Sequence, residues 1–304
     1  MVEKFINGKL TSTKSFEDIF DFDSCFVDIN GHKIHYIEKG KGKIVLMIHG
    51  NPTWSFYFRH LVQGLQNYYR CIAYDHIGCG LSDKPCTKNY NYTLQSRIKD
   101  LDLFIKQLGA KEKISLVLHD WGGMIGLAWA IKNPDRVDKI VITNTSGFLL
   151  PANKKLPFVL WLLKRFKFFS YLLILRLNLF ARGALFFCST KKISSKIKKG
   201  FLAPYNSWKN RIAILKFIHD IPIKKKDPAY EIVYDVSCNL QKLKKKPLLF
   251  LWGAKDFVFD LSFLDLFKKK FNKAQYHILS NAGHYLFEDK PNETLDLVKK
   301  FLNK

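Results

Sequence analysis

One acidic residue stands at a turn where a nucleophile could act. The mostly apolar stretch Ile114–His119 predicts a strand, and Asp120 follows it directly, before Trp121 and two glycines. Small residues after such a turn are typical of a nucleophile elbow, in which the central side chain projects from the sheet edge. A carboxylate attacks without losing a proton and forms an ester or anhydride that a second step must resolve. We therefore interpret Asp120 as a nucleophile, and not only as the N-cap of the next helix.

A histidine and a second carboxylate follow later predicted strands. His284 ends the string NAGH after the last strand, and Asp256 follows the strand that ends at Trp252. The order nucleophile, acid, histidine is typical of enzymes with this kind of elbow. The acid would hold the imidazole tautomer and stabilise its cation. We predict the triad Asp120, His284 and Asp256; Asp260 is the second choice for the acid because it lies farther from the strand end.

Two residues beside the nucleophile supply neutral hydrogen-bond donors. The string HGNPTW follows the third predicted strand and places Asn51 directly after Gly50, while Trp121 directly follows Asp120. The backbone N–H groups of residues in these two positions usually form an oxyanion hole. The side chains add an amide N–H and an indole N–H. Such donors suit an anion, either a halide or a carbonyl oxygen that becomes an oxyanion.

The elements that must position these residues alternate in a regular way. Continuous apolar strands separated by amphipathic helices predict a mostly parallel sheet that is covered on both faces, and therefore an α/β fold. The predicted strands are Cys25–Ile29, Lys33–Glu38, Lys43–Ile48, Arg70–Tyr74, Ile114–His119, Lys139–Thr143, Pro247–Trp252 and Gln275–Leu279. The predicted helices are Ser55–Leu65, Leu94–Leu108, Met124–Asn133, Leu261–Phe271 and Thr294–Asn303.

The alternation stops between residues 147 and 225, which predict only helices and loops. An insertion at the carboxyl edge of a parallel sheet lies over the ligand crevice. We therefore predict a core in two parts, residues 1–146 and 226–304, and a helical cap of residues 147–225. Within the cap, Leu156–Phe187 is rich in Leu and Phe but is interrupted by Lys and Arg. This pattern predicts either a lid that lines an apolar pocket or a peripheral contact with a membrane.

Composition limits the partners and the compartment. The formal net charge is +24, and the excess of Lys together with abundant Asn, Ile and Phe indicates compositional bias. No nucleic-acid motif surrounds the lysines, so we expect no nucleic-acid partner. The six cysteines have no metal-binding spacing, and we expect neither a metal nor a cofactor. The N-terminus shows no secretory signal, and no apolar run is long enough to span a membrane, so we expect a cytoplasmic protein.

Five strings together resemble the haloalkane dehalogenase group of α/β-hydrolases: HGNPTW, DHIGCGLSDKP, HDWGGMIG, WGAKD and NAGH. The likeness covers about residues 25–300 and implies an α/β-hydrolase fold with an eight-stranded sheet. It also implies that Asp120 is the nucleophile, that Asn51 and Trp121 bind the leaving halide, and that His284 activates water. One branch of the group has a Glu after the sixth strand, where this chain has Asn144. The acid after the seventh strand resembles a third branch instead.

That branch is similar to the β-lactone decarboxylases of bacterial long-chain olefin biosynthesis, which residues 75–80, 200–208 and 256–260 resemble. The resemblance implies a cis-3,4-dialkyl β-lactone with long alkyl chains as substrate, and a cis-alkene and CO₂ as products. It implies attack by Asp120 on the lactone carbonyl, proton handling by His284 with Asp256, and a place in an olefin-biosynthesis enzyme assembly.

Other functions remain as alternatives. A haloalkane dehalogenase would use the same residues. An epoxide hydrolase would need tyrosine acids, for which Tyr171, Tyr205, Tyr230 and Tyr234 are available. A luciferase-like oxygenase and a non-catalytic scaffold at the membrane are the remaining two.

Overall fold

An eight-stranded sheet forms the centre of the molecule. The computed structural model describes residues 16–152 and 154–304. The strands lie in the order β1-β2-β4-β3-β5-β6-β7-β8. The pairs β1–β2 and β2–β4 are antiparallel, and the other five pairs are parallel. The strands are β1 Ser24–Ile29, β2 His32–Lys39, β3 Ile44–Ile48, β4 Arg70–Tyr74, β5 Ile114–His119, β6 Val137–Thr143, β7 Leu248–Gly253 and β8 Gln275–Leu279. The predicted mostly parallel sheet is thus confirmed.

Helices cover both faces of the sheet. As a result β3, β5 and β7 are buried along their whole length, which explains their continuous apolar sequences. Outside the connection between β6 and β7 the helices are α1 Arg59–Leu65, α2 Leu94–Gln107, α3 Trp121–Lys132, α10 Leu261–Lys270, α11 Leu286–Asp289 and α12 Pro291–Leu302. Between β6 and β7 they are α4 Phe158–Arg165, α5 Lys167–Ser170, α6 Leu179–Phe187, α7 Ser195–Leu202, α8 Ile212–His219 and α9 Tyr230–Asn239.

Three of the five predicted helices differ at their N-terminal ends, and the other two end one residue earlier than predicted. The helix predicted from Met124 begins at Trp121, because Gly122 and Gly123 are helical here despite their low helix propensity. A Cβ at Gly122 would lie 2.0 Å from the backbone oxygen of Ile48, so this close approach requires glycine. The segment predicted as Ser55–Leu65 is a 3₁₀ turn followed by α1. The last helix begins earlier than predicted, with Pro291 in its first turn.

Between β6 and β7 the described residues contain helices but no strand. Besides α4 to α9, Tyr171–Arg176 forms a short π-helical segment. The division of the chain into a core and a cap of residues 147–225 stays a prediction, and we keep the name cap for these residues. The cap packs on the loop after β3: Trp54 donates its indole N–H to the carbonyl of Gly200 over 3.1 Å, and Tyr205 donates to the carbonyl of Thr53 over 3.0 Å.

No single helix in the described ranges is long and apolar enough to cross a membrane. Lys167–Arg176 and Leu179–Phe187 reach that length and apolar character only as a pair, and the chain bends by 79° between them. The expectation that the chain has no secretory signal concerns the N-terminal segment, of which residues 1–15 lie outside the described residues.

Candidate active site

Asp120 lies at the sharp turn between β5 and α3. Its backbone adopts φ 52° and ψ −129°, a conformation that a non-glycine residue rarely takes, as expected for a strained elbow. The turn presses the carboxylate against the loop after β3, where a Cβ at Gly50 would lie 2.0 Å from Asp120 Oδ1. Only glycine at position 50 therefore leaves room for this side chain. The Asp120 carboxylate is buried but lines a cavity.

The structure brings His284 between the two predicted carboxylates. His284 Nδ1 lies 2.7 Å from Asp256 Oδ2, and His284 Nε2 lies 3.6 Å from Asp120 Oδ2. The first distance is that of a hydrogen bond. The second is longer than a hydrogen bond, as catalytic contacts often are in the absence of substrate. Asp256 Oδ1 also accepts the backbone N–H groups of Val258 and Phe259 at 2.7 and 3.1 Å. Asp256 is thus rigidly held and can fix the imidazole tautomer.

Asp260, the second choice for the acid, has a different role. Its Oδ1 accepts the backbone N–H of Ser262 at the start of α10, and its Oδ2 pairs with Lys154 at 2.5 Å. It contacts the N-terminus of a helix, where negative charge is stabilised. Asp260 is therefore a helix cap, and the structure does not bring it to His284.

Burial and charge act against each other at the triad. Burial raises the pKa of Asp120, while the charge of His284 and the backbone N–H groups of Trp121 and Asn51 limit the rise. Burial alone would lower the pKa of His284, but the charge and hydrogen bond of Asp256, together with the charge of Asp120, raise it above its usual value. A carboxylate and an imidazolium that stabilise each other in this way can coexist near neutral pH.

The predicted oxyanion-hole N–H groups face the Asp120 carboxylate. The backbone N–H of Asn51 donates to Asp120 Oδ1 over 2.7 Å, and that of Trp121 helps to limit the rise in the pKa of this carboxylate. The side chains of Asn51 and Trp121 remain available to bind an anionic group of the substrate. Asn51 Nδ2 lies 3.3 Å from the carbonyl of Ile214 and carries a second hydrogen, and Trp121 lines the cavity. An anion in this position would therefore be bound by the two side chains and not by the backbone pair.

A cavity of about 520 Å³ opens above the carboxylate. Asp120, His284, Asn51 and Trp121 lie at its polar end, and the rest of its surface is mainly apolar. Cap residues supply much of that surface; they include Leu156, Phe158, Leu160, Phe180, Phe187 and Ile218. The size and the apolar character suit a ligand with alkyl chains that binds with one polar group at the nucleophile.

Asn144 is a site residue that the sequence analysis treated only as a missing acid. Its side-chain amide donates to Asp256 Oδ2 over 2.9 Å, and its Oδ1 accepts the backbone N–H of Gly253 at 2.8 Å. The backbone carbonyl of Asn144 accepts the N–H of Asp120 at 3.2 Å. The hydroxyl of the next residue, Thr145, donates to the backbone carbonyl of Asp120. In the sequence, the one indication of this role is that Asn144 directly follows β6, the strand between those that precede Asp120 and Asp256.

A second missed residue, Asp289, links the cap to the histidine loop. Its buried carboxylate accepts the backbone N–H of Gly283 at 2.7 Å and those of Thr190 and Lys191 at 2.9 and 3.2 Å. The loop gains a further link where the N–H of Tyr285 donates to the carbonyl of Cys188 over 2.7 Å. The end of α6 and the loop that carries His284 are therefore held as one unit.

The residues proposed for other chemistries do not lie at the site. The four tyrosines that an epoxide hydrolase would need are absent from the cavity lining: Tyr171 and Tyr234 are exposed, and Tyr205 is buried against the loop after β3. Cys79 is fully buried, and burial raises the pKa of its thiol to about 11, which disfavours a reactive thiolate. The described part of the chain contains no group of three or more His, Cys, Asp or Glu side chains that could hold a metal.

Comparison with known proteins gives a family match and several relatives. The alpha/beta hydrolase fold model matches residues 43–291. A cis-3-alkyl-4-alkyloxetan-2-one decarboxylase from Shewanella oneidensis is 43% identical over 94% of this chain and 90% of its own length. A protein of the same name from Xanthomonas campestris is 37% identical over 90% and 93%. A haloalkane dehalogenase from Mycobacterium bovis is 28% identical over 90% and 93%.

Solved structures support the same fold. A crystal structure of a mutant haloalkane dehalogenase from Agrobacterium tumefaciens superposes with a TM-score of 0.83 at 24% identity and covers 96% of this chain and 99% of its own. At this identity the likeness concerns the fold, and it confirms the predicted eight-stranded sheet with flanking helices.

Proposed function

This chain belongs to the alpha/beta hydrolase fold family, and from that premise we propose that it converts cis-3,4-dialkyl β-lactones into cis-alkenes and CO₂ with Asp120 as nucleophile. β-Lactones are oxetan-2-ones, the class named in its relatives from Shewanella and Xanthomonas. One structural observation carries the proposal: a buried carboxylate, paired with His284, lies at the polar end of a largely apolar cavity of about 520 Å³. Asp256 completes the triad.

We infer that Asp120 attacks the ring carbon C4, which bears the ring oxygen. A bond forms between Asp120 Oδ2 and C4, and the bond from C4 to the ring oxygen breaks. The ring oxygen leaves as part of a carboxylate that stays attached to C3. Asn51 Nδ2 and the indole N–H of Trp121 would bind this carboxylate, as two neutral donors suited to an anion. The imidazolium of His284 would stabilise the added negative charge.

The second step releases both products. The bond between C3 and the carboxylate carbon breaks, and its electron pair forms the C3–C4 double bond. The ester bond from C4 to Asp120 breaks in the same step, so the carboxylate of Asp120 is restored and CO₂ leaves. No water, proton or oxidant is consumed. Inversion at C4 followed by anti elimination preserves the cis arrangement of the two alkyl groups.

The alternative of attack on the lactone carbonyl, expected from the family resemblance, has less support. It would create an oxyanion on the substrate, but the backbone N–H of Asn51, one of the predicted oxyanion-hole pair, already donates to the Asp120 carboxylate. It would also leave an anhydride, and a water molecule would be needed to restore Asp120. Attack on the saturated carbon C4 needs neither an oxyanion hole nor a water molecule.

A haloalkane dehalogenase is the second candidate function. The same attack on a saturated carbon would expel a halide onto Asn51 and Trp121, and His284 would then activate water to hydrolyse the ester. The Asn51 and Trp121 pair favours this candidate, as does the relative from Mycobacterium bovis. The apolar lining supplied by the cap supports the lactone instead, because small haloalkanes would leave most of it without contacts.

Product analysis tests the proposal. The purified protein would be incubated with a long-chain cis-β-lactone and, separately, with 1-iodobutane, and alkene and halide would be measured. We expect cis-alkene in an amount equal to the lactone consumed. Formation of the β-hydroxy acid without alkene, or release of iodide without alkene, would refute the decarboxylase proposal.

We also propose that the protein works in the cytoplasm beside the enzymes that make the lactone, with the cap in peripheral contact with the inner face of the membrane. The long alkyl chains of the substrate support both parts, because a lactone released into water would leave solution. Co-elution with the β-lactone-forming enzyme of the same organism tests the assembly, and separate elution at micromolar concentrations would count against it.

A further inference from the structure

The cap carries a group of exposed aromatic side chains that the protein itself does not cover. We define the aromatic face as Phe158, Trp161, Phe166, Phe168, Phe186 and Phe187, all of them exposed. Phe168 and Phe186 are each 73% exposed, and Phe158 is 71% exposed. Ring centroids lie 5.8 Å apart between Phe158 and Trp161 and 5.9 Å apart between Trp161 and Phe166. An exposed apolar patch of this kind marks a contact surface.

Charge is segregated in the same part of the chain. Residues 147–225 contain seventeen Lys or Arg residues and one acidic residue, Asp220, which is buried. By their share of the chain these residues would hold about seven acidic residues. Arg165 and Lys167 are exposed within the aromatic face, and the Arg165 guanidinium lies 5.3 Å from the centre of the Phe166 ring. Compositional bias, our first interpretation of the net charge, does not explain the removal of acidic residues from one segment.

The mouth of the substrate cavity lies within this face. Phe158 and Phe187 line the cavity above Asp120 and are also 71% and 68% exposed. Val159 and Leu179 line the cavity and are exposed as well. A residue can have both properties only where the cavity meets the surface. The opening is therefore rimmed by strongly exposed apolar side chains of the cap.

We propose that the aromatic face docks on an anionic lipid bilayer, and that the lactone enters the cavity directly from that bilayer. The proposal rests on the decarboxylase function for the identity of the ligand, and on the cap geometry for the route. A mouth immersed in the bilayer interface lets both alkyl chains pass from lipid to the apolar lining without contact with water. Aromatic rings favour the membrane interface, and a basic surface favours anionic headgroups.

Two tryptophans report docking directly. Trp161 and Trp208 are 43% and 45% exposed on the cap, whereas the other four tryptophans are buried. We expect vesicles with brominated phosphatidylglycerol to quench the fluorescence of these two residues, and brominated phosphatidylcholine to quench it much less. The quenching should fall with salt because exposed charges are screened. Equal quenching of wild-type protein and of the double variant Trp161→Phe, Trp208→Phe would overturn the docking.

Matched variants separate the contributions of the aromatic and the basic residues to vesicle binding. Phe168→Asp changes the aromatic face without touching the cavity, and Tyr234→Asp makes a similar change at an exposed tyrosine on α9. The charge reversal Arg165→Glu, Lys167→Glu is matched by Lys244→Glu, Lys245→Glu near the start of β7, at the opposite edge of the sheet. We expect both cap variants to lose sedimentation with anionic vesicles and both control variants to retain it. Loss in all four variants would contradict a specific face.

Measurements of turnover separate the entry of the lactone into the cavity from the reaction itself. We expect Phe168→Asp to convert a long-chain lactone embedded in anionic vesicles about tenfold more slowly than wild-type protein, yet to convert a short-chain soluble lactone at the wild-type rate. Equal rates of the two proteins on embedded lactone would overturn entry from the bilayer. If wild-type protein bound vesicles but made alkene from neither lactone, the proposed reaction would fail while the docking stood. Binding to a β-lactone-forming enzyme but not to vesicles would overturn the docking and show that the aromatic face is a protein-binding surface.

Discussion

Asn144 donates a hydrogen bond from its side-chain amide to Asp256 Oδ2 over 2.9 Å, the same oxygen that His284 Nδ1 contacts at 2.7 Å. The backbone carbonyl of Asn144 accepts the N–H of Asp120 at 3.2 Å. A neutral residue at the end of β6 thus connects the nucleophile turn with the acid loop after β7. We infer that Asn144 is a positioning residue for both.

Removal of the Asn144 side chain should lower turnover without weakening substrate binding. Asn144 has φ 29°, so Asn144→Gly is compatible with the backbone. Loss of the donor frees Asp256 and the His284 ring to move, and we expect kcat to fall about tenfold or more with an unchanged KM. Steady-state kinetics on a soluble lactone measure both constants. Asn30→Gly, at an exposed turn residue with φ 54°, is the matched control. A rise in KM alone would contradict positioning.

The link between the cap and the histidine loop should contribute to stability. Asp289→Asn would replace one carboxylate oxygen by an NH₂ group, which cannot accept a hydrogen bond. This group would face one or more of the backbone N–H groups of Gly283, Thr190 and Lys191. Because a buried donor then loses its partner, we expect the free energy of unfolding to fall by about 2 kcal/mol. Denaturant unfolding measures it, with Asp296→Asn on the exposed side of α12 as the control. Equal stability of the two variants would argue against the link.

Local patterns predicted the strands and the sharp turn that carries Asp120, because each depends on neighbouring residues. The apolar stretch Ile114–His119 and the glycines after Asp120 were sufficient to place a strand and an elbow. The position of Asp256 relative to a strand end predicted which of two carboxylates lies near His284, and the structure places Asp260 at a helix cap instead.

Contacts between distant segments could not be predicted in this way. The bond from Asn144 to Asp256 and the bond from Thr190 to Asp289 each join segments more than ninety residues apart in sequence. The backbone N–H of Asn51 bonds with the Asp120 carboxylate because of the φ of 52° at the elbow, which composition does not encode. The exposure of Phe158 and Phe187 follows from how the cap helices pack, so hydropathy alone left a lid and a membrane contact as equal alternatives.

Acid should destabilise the protein partly through His49. Burial lowers the pKa of His49 from 6.5 to about 4, although the charge of Asp75 and the hydrogen bond to Gly50 act in the opposite direction. The unfolded chain therefore binds more protons between these values, and stability contributed by neutral His49 is complete above pH 6.5 and is lost as the pH falls towards 4. The loss amounts to about 3 kcal/mol.

The pH dependence of His49→Gln tests this assignment. We expect denaturant unfolding of the variant between pH 7 and 4 to show a slope smaller than that of wild-type protein by up to about one proton. The absolute stability of the variant does not matter for this comparison. An unchanged slope would show that His49 does not titrate differently in the folded and unfolded states.

The fate of the Asp120 oxygens separates the proposed route from its alternatives. In water enriched in oxygen-18, decarboxylation through attack on C4 should leave the peptide that contains Asp120 unlabelled after many turnovers of lactone. Hydrolysis of a covalent ester or anhydride by water would add label to this carboxylate. Mass spectrometry of the peptide measures the difference. Label that accumulates in proportion to the alkene formed would contradict the water-free decarboxylation through attack on C4 and favour the carbonyl route.

Alkene formation by Asp120→Asn tests the nucleophile most directly. The amide nearly matches the carboxylate in shape but cannot attack carbon, and thermal unfolding would verify that the variant is folded. With a short-chain cis-β-lactone we expect alkene release to fall about a thousandfold or more. Asp260→Asn, which alters a carboxylate that does not contact His284, should remain within a few-fold of wild-type protein. Alkene release by Asp120→Asn at the wild-type rate would show that Asp120 is not the nucleophile.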